Sequence, residues 1–350
     1  MQKFAIDLRH LVSNNPTGKA TYTKNLLDHL LESGKVYALS TTNQDKFKHK
    51  NLLDKKVSKF LFHFQSAFFI VKNKLTFFAT ESYITPLLVS ILGGKSVITV
   101  HDLIAFNAKD HKFIPTLIEK ICLPLLVKFS KNTFLFSTNS QMQDFKKRFN
   151  VKSKNLHVFF PGANHQAKRS FKKHQKFITF NSTFLERKNQ LLLLKAFNLI
   201  KDNIDKQLVL VGKFTTPYIS KIQNYILENN LMDRVTLKDY VSQKELDEII
   251  SNTAILVNPS KVEGFGLQII EALQKKIPCI VSDIPVFKEV FKNACLYFDI
   301  TDEQSLADQI MFVNNNLELK KQLLNNADSV LKNYSFKKTF LKFKSLLKKV

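Results

Sequence analysis

The stretch PSKVEGFGLQIIEAL sets two carboxylates, Glu263 and Glu271, on either side of a Gly-Phe-Gly turn in an otherwise apolar run. A carboxylate on an apolar segment is costly to desolvate unless a partner meets it, so the pattern suggests a ligand. Gly264 and Gly266 let the backbone approach that ligand, and the amides around Phe265 and Leu267 stand where a helix should begin. Such amides, together with the helix dipole, favour a phosphate. Glu271, one turn beyond Leu267, is placed to accept hydrogen bonds from ligand hydroxyls, and Glu263 to contact a sugar beside the phosphate. Taken alone, the pair is more readily an ordinary turn with surface glutamates, since the spacing is common.

Three other places carry chemistry of the same kind. FNSTFLERKNQLLLLKAF puts Arg187 and Lys188 after a strand and at the start of a helix. There a planar guanidinium fork and a compact ammonium would clamp a pyrophosphate. NNPTGKATYTKNLL puts Gly18 in a loop between the first strand and the first helix. SVITVHDL ends a strand with His101 and Asp102, where a polar pair can face an interdomain cleft. Each has a plainer alternative: a solvated basic turn, an incidental loop glycine, a structural histidine.

Residues so placed need strands that end near one another. Short apolar runs alternate with longer amphipathic ones along the whole chain, the mark of α/β architecture with parallel sheets. KFAID, VYALS, KLTFFAT, SVITV, TFLFST and LHVFF read as strands of a first half. KFITFNS, QLVLVG, RVTLKDY, AILVNPS and PCIVSD read as strands of a second, separated by helical stretches. Pro124 should kink or divide the helix TLIEKICLPLLVKFS. AKRSFKKHQK, polar and basic, reads as the linker. The expected architecture is two Rossmann-like domains, residues 1–168 and 169–332, followed by a basic amphipathic helix over 333–350.

Composition narrows the partners. With 350 residues, 44% of them hydrophobic, the chain can fill two cores. No run approaches a membrane span, the N-terminus lacks the regions of a signal peptide, and Cys122, Cys279 and Cys295 have no metal or redox spacing. These features point to the cytoplasm. The net charge of +24 is unusual, and it leans forward. Up to Lys168 there are 25 basic and 10 acidic residues, net +15, against 28 and 19 in the remainder. Phosphate-bearing ligands or an anionic membrane surface suit that excess. KKVSKFLFHFQSAFFIVKNK and KFIPTLIEKICLPLLVKFSK, apolar segments framed by lysines, are the candidate membrane-facing stretches. Nucleic acid is not expected, because the lysines are scattered through helices and no recognised module is present.

Taken in order, the motifs resemble the retaining GT-B glycosyltransferases of family 4, in particular the bacterial envelope-polysaccharide and lipopolysaccharide branch. IDLRHL…PTGKATYTKNLL, TVHDL, STNSQMQDF and VFFPGAN are similar to segments of its first domain. ERKN…KAF, LVLVGKF, ELDEII…ILVNPSKVEGFGLQIIEAL, PCIVSDIPVFKEV and NYSFKKT are similar to segments of its second domain and last helix. The resemblance implies two domains facing across a cleft, with a nucleotide-sugar donor and a glycan or lipid-linked acceptor as partners. It places Glu263 near the donor sugar and Glu271 on the ribose hydroxyls, with the last helix crossing back to the first domain. Gly18, Arg187, Lys188 and residues 264–267 would complete the donor site, His101 would line the acceptor side, and Glu263, His101 and Lys188 would be the catalytic set. With cations on the diphosphate and no Asp-x-Asp pair after a strand, neither a metal nor another cofactor is expected. Four residues depart from the family pattern at usual glycines: Ala20, Ser182, Asp239 and Lys276. They motivate a second reading, an inactive glycosyltransferase-like scaffold within a polysaccharide assembly complex.

Overall fold

The computed structural model describes residues 2–12, 18–41, 49–80, 82–103, 106, 113–152, 155–162 and 175–350. The expected linker at 167–176 lies largely outside them, as do Pro16 and Thr17 before Gly18. The chain divides into two compact units, Met1–Asn164 with Tyr334–Val350, and His165–Asn333.

The first unit runs β1 (Gln2–Asp7), α1 (Gly18–Ser33), β2 (Gly34–Ser40), β3 (Leu52–Lys56), α2 (Phe62–Lys72), β4 (Thr76–Ala79) and α3 (Ile84–Ile91). It continues through β5 (Lys95–Val100), α4 (Phe113–Leu126), β6 (Thr133–Phe136), α5 (Asn139–Phe149) and β7 (Leu156–Val158). Its seven strands are all parallel, in the order β3-β2-β1-β4-β5-β6-β7. Central strands are buried on both faces, which is why KFAID and SVITV read as almost unbroken apolar runs. The edge strand β3, LLDKK, is mostly exposed and charged, and no apolar pattern announces it. Such an edge resists pairing with another chain. Pro124 lies inside α4 and does not divide it; the helix runs on to Leu126.

The second unit runs β8 (Phe177–Asn181), a 3-10 turn (Glu186–Lys188), α6 (Gln190–Ile200), β9 (Gln207–Val211), α7 (Tyr218–Glu228), β10 (Val235–Lys238) and α8 (Gln243–Ser251). It continues through β11 (Thr253–Asn258), α9 (Leu267–Gln274), β12 (Cys279–Ser282), α10 (Pro285–Phe291), β13 (Cys295–Phe298), α11 (Glu303–Asn315) and α12 (Leu317–Asn333). Its six strands are parallel in the order β10-β9-β8-β11-β12-β13. The last helix, α13 (Phe336–Leu347), belongs to the first unit. It packs on α1, where the buried ring of His29 meets Phe336 and Phe343 and bonds Thr339 at 3.0 Å.

In each sheet the strand order reverses direction once, between β1 and β4 and between β8 and β11. Loops leaving neighbouring strands at such a point diverge to opposite faces and open a crevice at the carboxyl ends, where ligands of this architecture bind.

Candidate active site

The reversal point of the second sheet is where the sequence had placed its cations and carboxylates. β8 ends at Asn181 and leads to the 3-10 turn holding Arg187 and Lys188. β11 ends at Asn258 and leads to Ser260, Glu263 and the glycine turn. The two loops are tied together by a backbone bond from the Lys261 amide to the Arg187 carbonyl, 2.8 Å.

Side chains complete the tie. The Lys188 ammonium bonds Glu263 Oε1, and both side chains are about nine-tenths buried, at 8% and 10% exposure. The Ser260 hydroxyl donates to the same carboxylate oxygen at 3.0 Å, and the Gln268 amide approaches it at 3.4 Å. Burial alone would raise the Glu263 pKa. The nearby Lys188 charge and bond, Arg187 and the Ser260 hydroxyl overcome it and hold the carboxyl below its ordinary range. A buried carboxylate kept ionised is therefore paired with a buried ammonium. Such a pair is costly to desolvate and adds little stability over apolar packing, so its presence at a ligand-binding edge calls for another use.

Gly266 is the N-cap of α9, with φ +95 in the left-handed region. A Cβ there would lie 2.9 Å from both Ile269 and Phe287, so the turn admits only glycine. Phe265 is buried, and only the backbone of the turn is available for a ligand. Glu271 lies on α9 and lines a small cavity of about 40 Å³ with Asn181, Asp247, Gln268 and Lys275. Burial, reinforced by Asp247 and opposed by Lys275, pushes its carboxyl up to about 7. Glu263 and Glu271 thus differ: one is held charged, the other is poised to change charge near neutrality.

The structure gathers Arg187, Lys188, Glu263, Gly264, Phe265, Gly266, Leu267 and Glu271 in the second unit; Gly18 and His101 belong to the first. Gly18 opens α1, and a Cβ there would meet no described atom within 4 Å, so none of the described residues requires glycine at this position. His101 follows β5, donates Nε2–H to the Thr80 carbonyl at 2.7 Å and packs edge-on against Tyr22. Burial first, then Lys19, lowers its pKa to about 4 against the opposing pull of Thr80 and Asp102. The ring is therefore neutral near pH 7, with Nδ1 as its proton-accepting atom.

The four departures from glycine have local explanations. Asp239 accepts the Phe214 amide at 3.0 Å and caps the loop after β9. Lys276 ends α9 in the left-handed region, φ +60, and pairs with Asp328 at 2.7 Å. At Ser182 the approach is taken up from the other side: the glycine is Gly212, φ +147, where a Cβ would sit 2.0 Å from the Ser182 carbonyl oxygen. Ala20 is simply buried on α1. Sequence reasoning missed Ser260 and Gln268. The only signal for Ser260 was its position three residues before Glu263, and nothing marked Gln268.

Residues 163–330 match the family model described as glycosyl transferases group 1. The matched region contains both loops of the site just described. Among curated relatives, the O-antigen chain mannosyltransferase RfbU of Salmonella typhimurium is 30% identical over 239 residues, 68% of this chain and 65% of RfbU. The serotype-specific mannosyltransferase WbdA of Escherichia coli is 35% identical over 117 residues, 33% of this chain and 14% of WbdA. The chain thus spans just under two thirds of the first relative and a small part of the second. Among solved structures, Anabaena HepE in complex with UDP and glucose is similar over the whole of both chains, with TM-score 0.78 at 14% identity. At that identity the likeness shows the fold: two Rossmann-like parallel-sheet domains of the GT-B type.

Proposed function

We propose that this protein is a retaining glycosyltransferase of family 4. It moves a hexose or deoxyhexose from a nucleotide sugar to a glycan or lipid-linked acceptor in envelope polysaccharide synthesis. Mannose is the first sugar to test, because RfbU and WbdA are named mannosyltransferases. The observation that carries the reading is the buried Lys188–Glu263 pair at the reversal point of the second sheet, beside Arg187 and the N-terminus of α9.

The pair stores a cation where water is scarce. When a donor diphosphate enters, Lys188 turns from Glu263 to the phosphates, joined by Arg187 and the amides of the turn. The glycosidic C–O bond to the phosphate breaks heterolytically, the electron pair leaves with the diphosphate, and the anomeric carbon becomes oxocarbenium-like. Fixed cations and amides stabilise the charge growing on the leaving group, the largest single effect such a site can supply. Glu263, released from Lys188, faces the sugar, and Glu271 accepts the ribose hydroxyls. The cations that a divalent metal would supply are built into the chain.

A thermal-shift panel of UDP-, GDP-, dTDP- and CMP-sugars tests donor recognition. A bound donor at 100 times its dissociation constant adds about 2.7 kcal/mol of stability. Release of free sugar or transfer to an acceptor should accompany the shift. Binding without either would make the protein a scaffold, and no shift with any donor would remove the reading.

A further inference from the structure

The crossovers carrying α2, α3 and α4 all step the same way across the first sheet. Right-handed connections therefore place the three helices on one face of it. α3 packs against both α2 and α4, so it lies between them. Each buries an inner stripe, including Phe62 and Ile70 on α2, Val89 on α3 and Leu123 and Leu126 on α4. The outer side of such a layer is ordinarily polar.

Here it is not. Phe60 is 96% exposed, and Phe64 and Phe68, one turn apart on α2, are 66% and 64% exposed. Leu117, Ile121 and Leu125 repeat every fourth residue along α4, all exposed, and Ile91 and Leu92 are exposed where α3 ends. Of the nineteen large apolar side chains exposed among the described residues, ten lie between Leu53 and Leu125. That concentration is far from the scattered single residues of an ordinary surface.

The rim is cationic. Exposed Lys55, Lys56 and Lys59 precede α2, and exposed Lys72 closes it. Exposed Lys120 stands on α4, and Lys128 lies just beyond its end. Against them the three helices carry one acidic residue, Glu119, half-buried. A matching surface must be apolar at its centre, anionic around it and broad enough to meet three helices. A second copy on this face would set one lysine rim against another. Nucleic acid would leave the aliphatic side chains without a partner.

We propose that the outer face of α2, α3 and α4 docks on the interfacial region of a bilayer containing anionic phospholipid. Phe64, Phe68 and Ile121 enter the boundary between headgroups and acyl chains, and the lysines meet lipid phosphates. This inference is independent of the transfer chemistry. The test is co-sedimentation of the full chain with vesicles of phosphatidylglycerol and phosphatidylethanolamine, and with phosphatidylcholine alone, across a salt series. Partitioning should be at least about tenfold stronger to the anionic vesicles and should weaken as salt rises. Phe64→Ser with Phe68→Ser should lower it by about tenfold or more at unchanged melting temperature. Met232→Ser, at an apolar residue 66% exposed in the second unit, should leave it unchanged. The proposal is overturned by absence of sedimentation with anionic vesicles at low salt, or by a double variant that binds like the parent. It is overturned equally if the double variant turns a dimer into a monomer while neither protein sediments with vesicles.

Discussion

At the scale of single residues, Glu263 and Glu271 have opposite electrostatic settings, and each setting gives a prediction. Removing one member of the buried Lys188–Glu263 pair strands the other. Lys188→Ala should cost about 3–5 kcal/mol in urea unfolding, and adding Glu263→Gln should restore most of it. Additive losses would show that the pair is not coupled. Glu271 has its folded pKa raised from an ordinary 4.5 to about 7 by burial, then by Asp247 against Lys275. The folded state therefore holds this proton more tightly than the unfolded state. Stability falls as pH rises from about 4.5 through 7 and stays reduced above that. Glu271→Gln should thus stabilise the free protein by about 1–3 kcal/mol at pH 8 and by little at pH 5. Ribose hydroxyls donate best to the ionised carboxylate, so affinity for a nucleotide sugar should rise from pH 6 to 8. Calorimetric titration with parent and variant checks this: a pH slope that persists in Glu271→Gln would place the titrating group elsewhere. The carboxylates, Arg187 and Lys188 were legible because charged residues interrupt apolar runs. Ser260 and Gln268 were not, since a serine after a strand and a glutamine on a helix look alike in any surface segment.

At the scale of elements, legibility followed burial. Strands covered on both faces, such as β5 and β11, stand out as apolar runs. The edge strand β3, with a single half-buried residue and four exposed ones, was invisible. Of the two effects expected of Pro124, division does not occur, since α4 carries the proline inside and runs on to Leu126. Glycines divide the same way. Gly212 is required by the fold: Gly212→Ala would drive a Cβ into the Ser182 carbonyl and should cost about 3 kcal/mol or more in thermal or urea unfolding. Gly18 has no described neighbour that a Cβ would touch, so Gly18→Ala should leave stability within about 0.5 kcal/mol. A loss of transfer activity in that folded variant would mean that the space beside Gly18 is reserved for a ligand. Retained activity together with retained stability would remove Gly18 from the site.

At the scale of the whole molecule, two parallel sheets could be expected from the alternation of apolar and amphipathic segments, but not the order of strands within them. The helices α10 to α12 carry no residue of the site, and the marks of the first two are local ones, Pro285 at the start of α10 and the Asp302 cap of α11. No helix among the described residues is long and apolar enough to cross a membrane. Because the cations of the proposed site are Arg187, Lys188 and the start of α9, turnover should survive EDTA. Silencing by chelation and rescue by Mg²⁺ or Mn²⁺ would show that these groups do not neutralise the leaving diphosphate. The central claim is that Lys188 meets charge developing on that leaving group. Its most direct test is steady-state turnover of the best donor by the parent and by Lys188→Gln, with melting curves confirming that the variant is folded. The account predicts a loss of about 10²–10³ in kcat with a much smaller change in KM. A folded Lys188→Gln protein with parental kcat would contradict it.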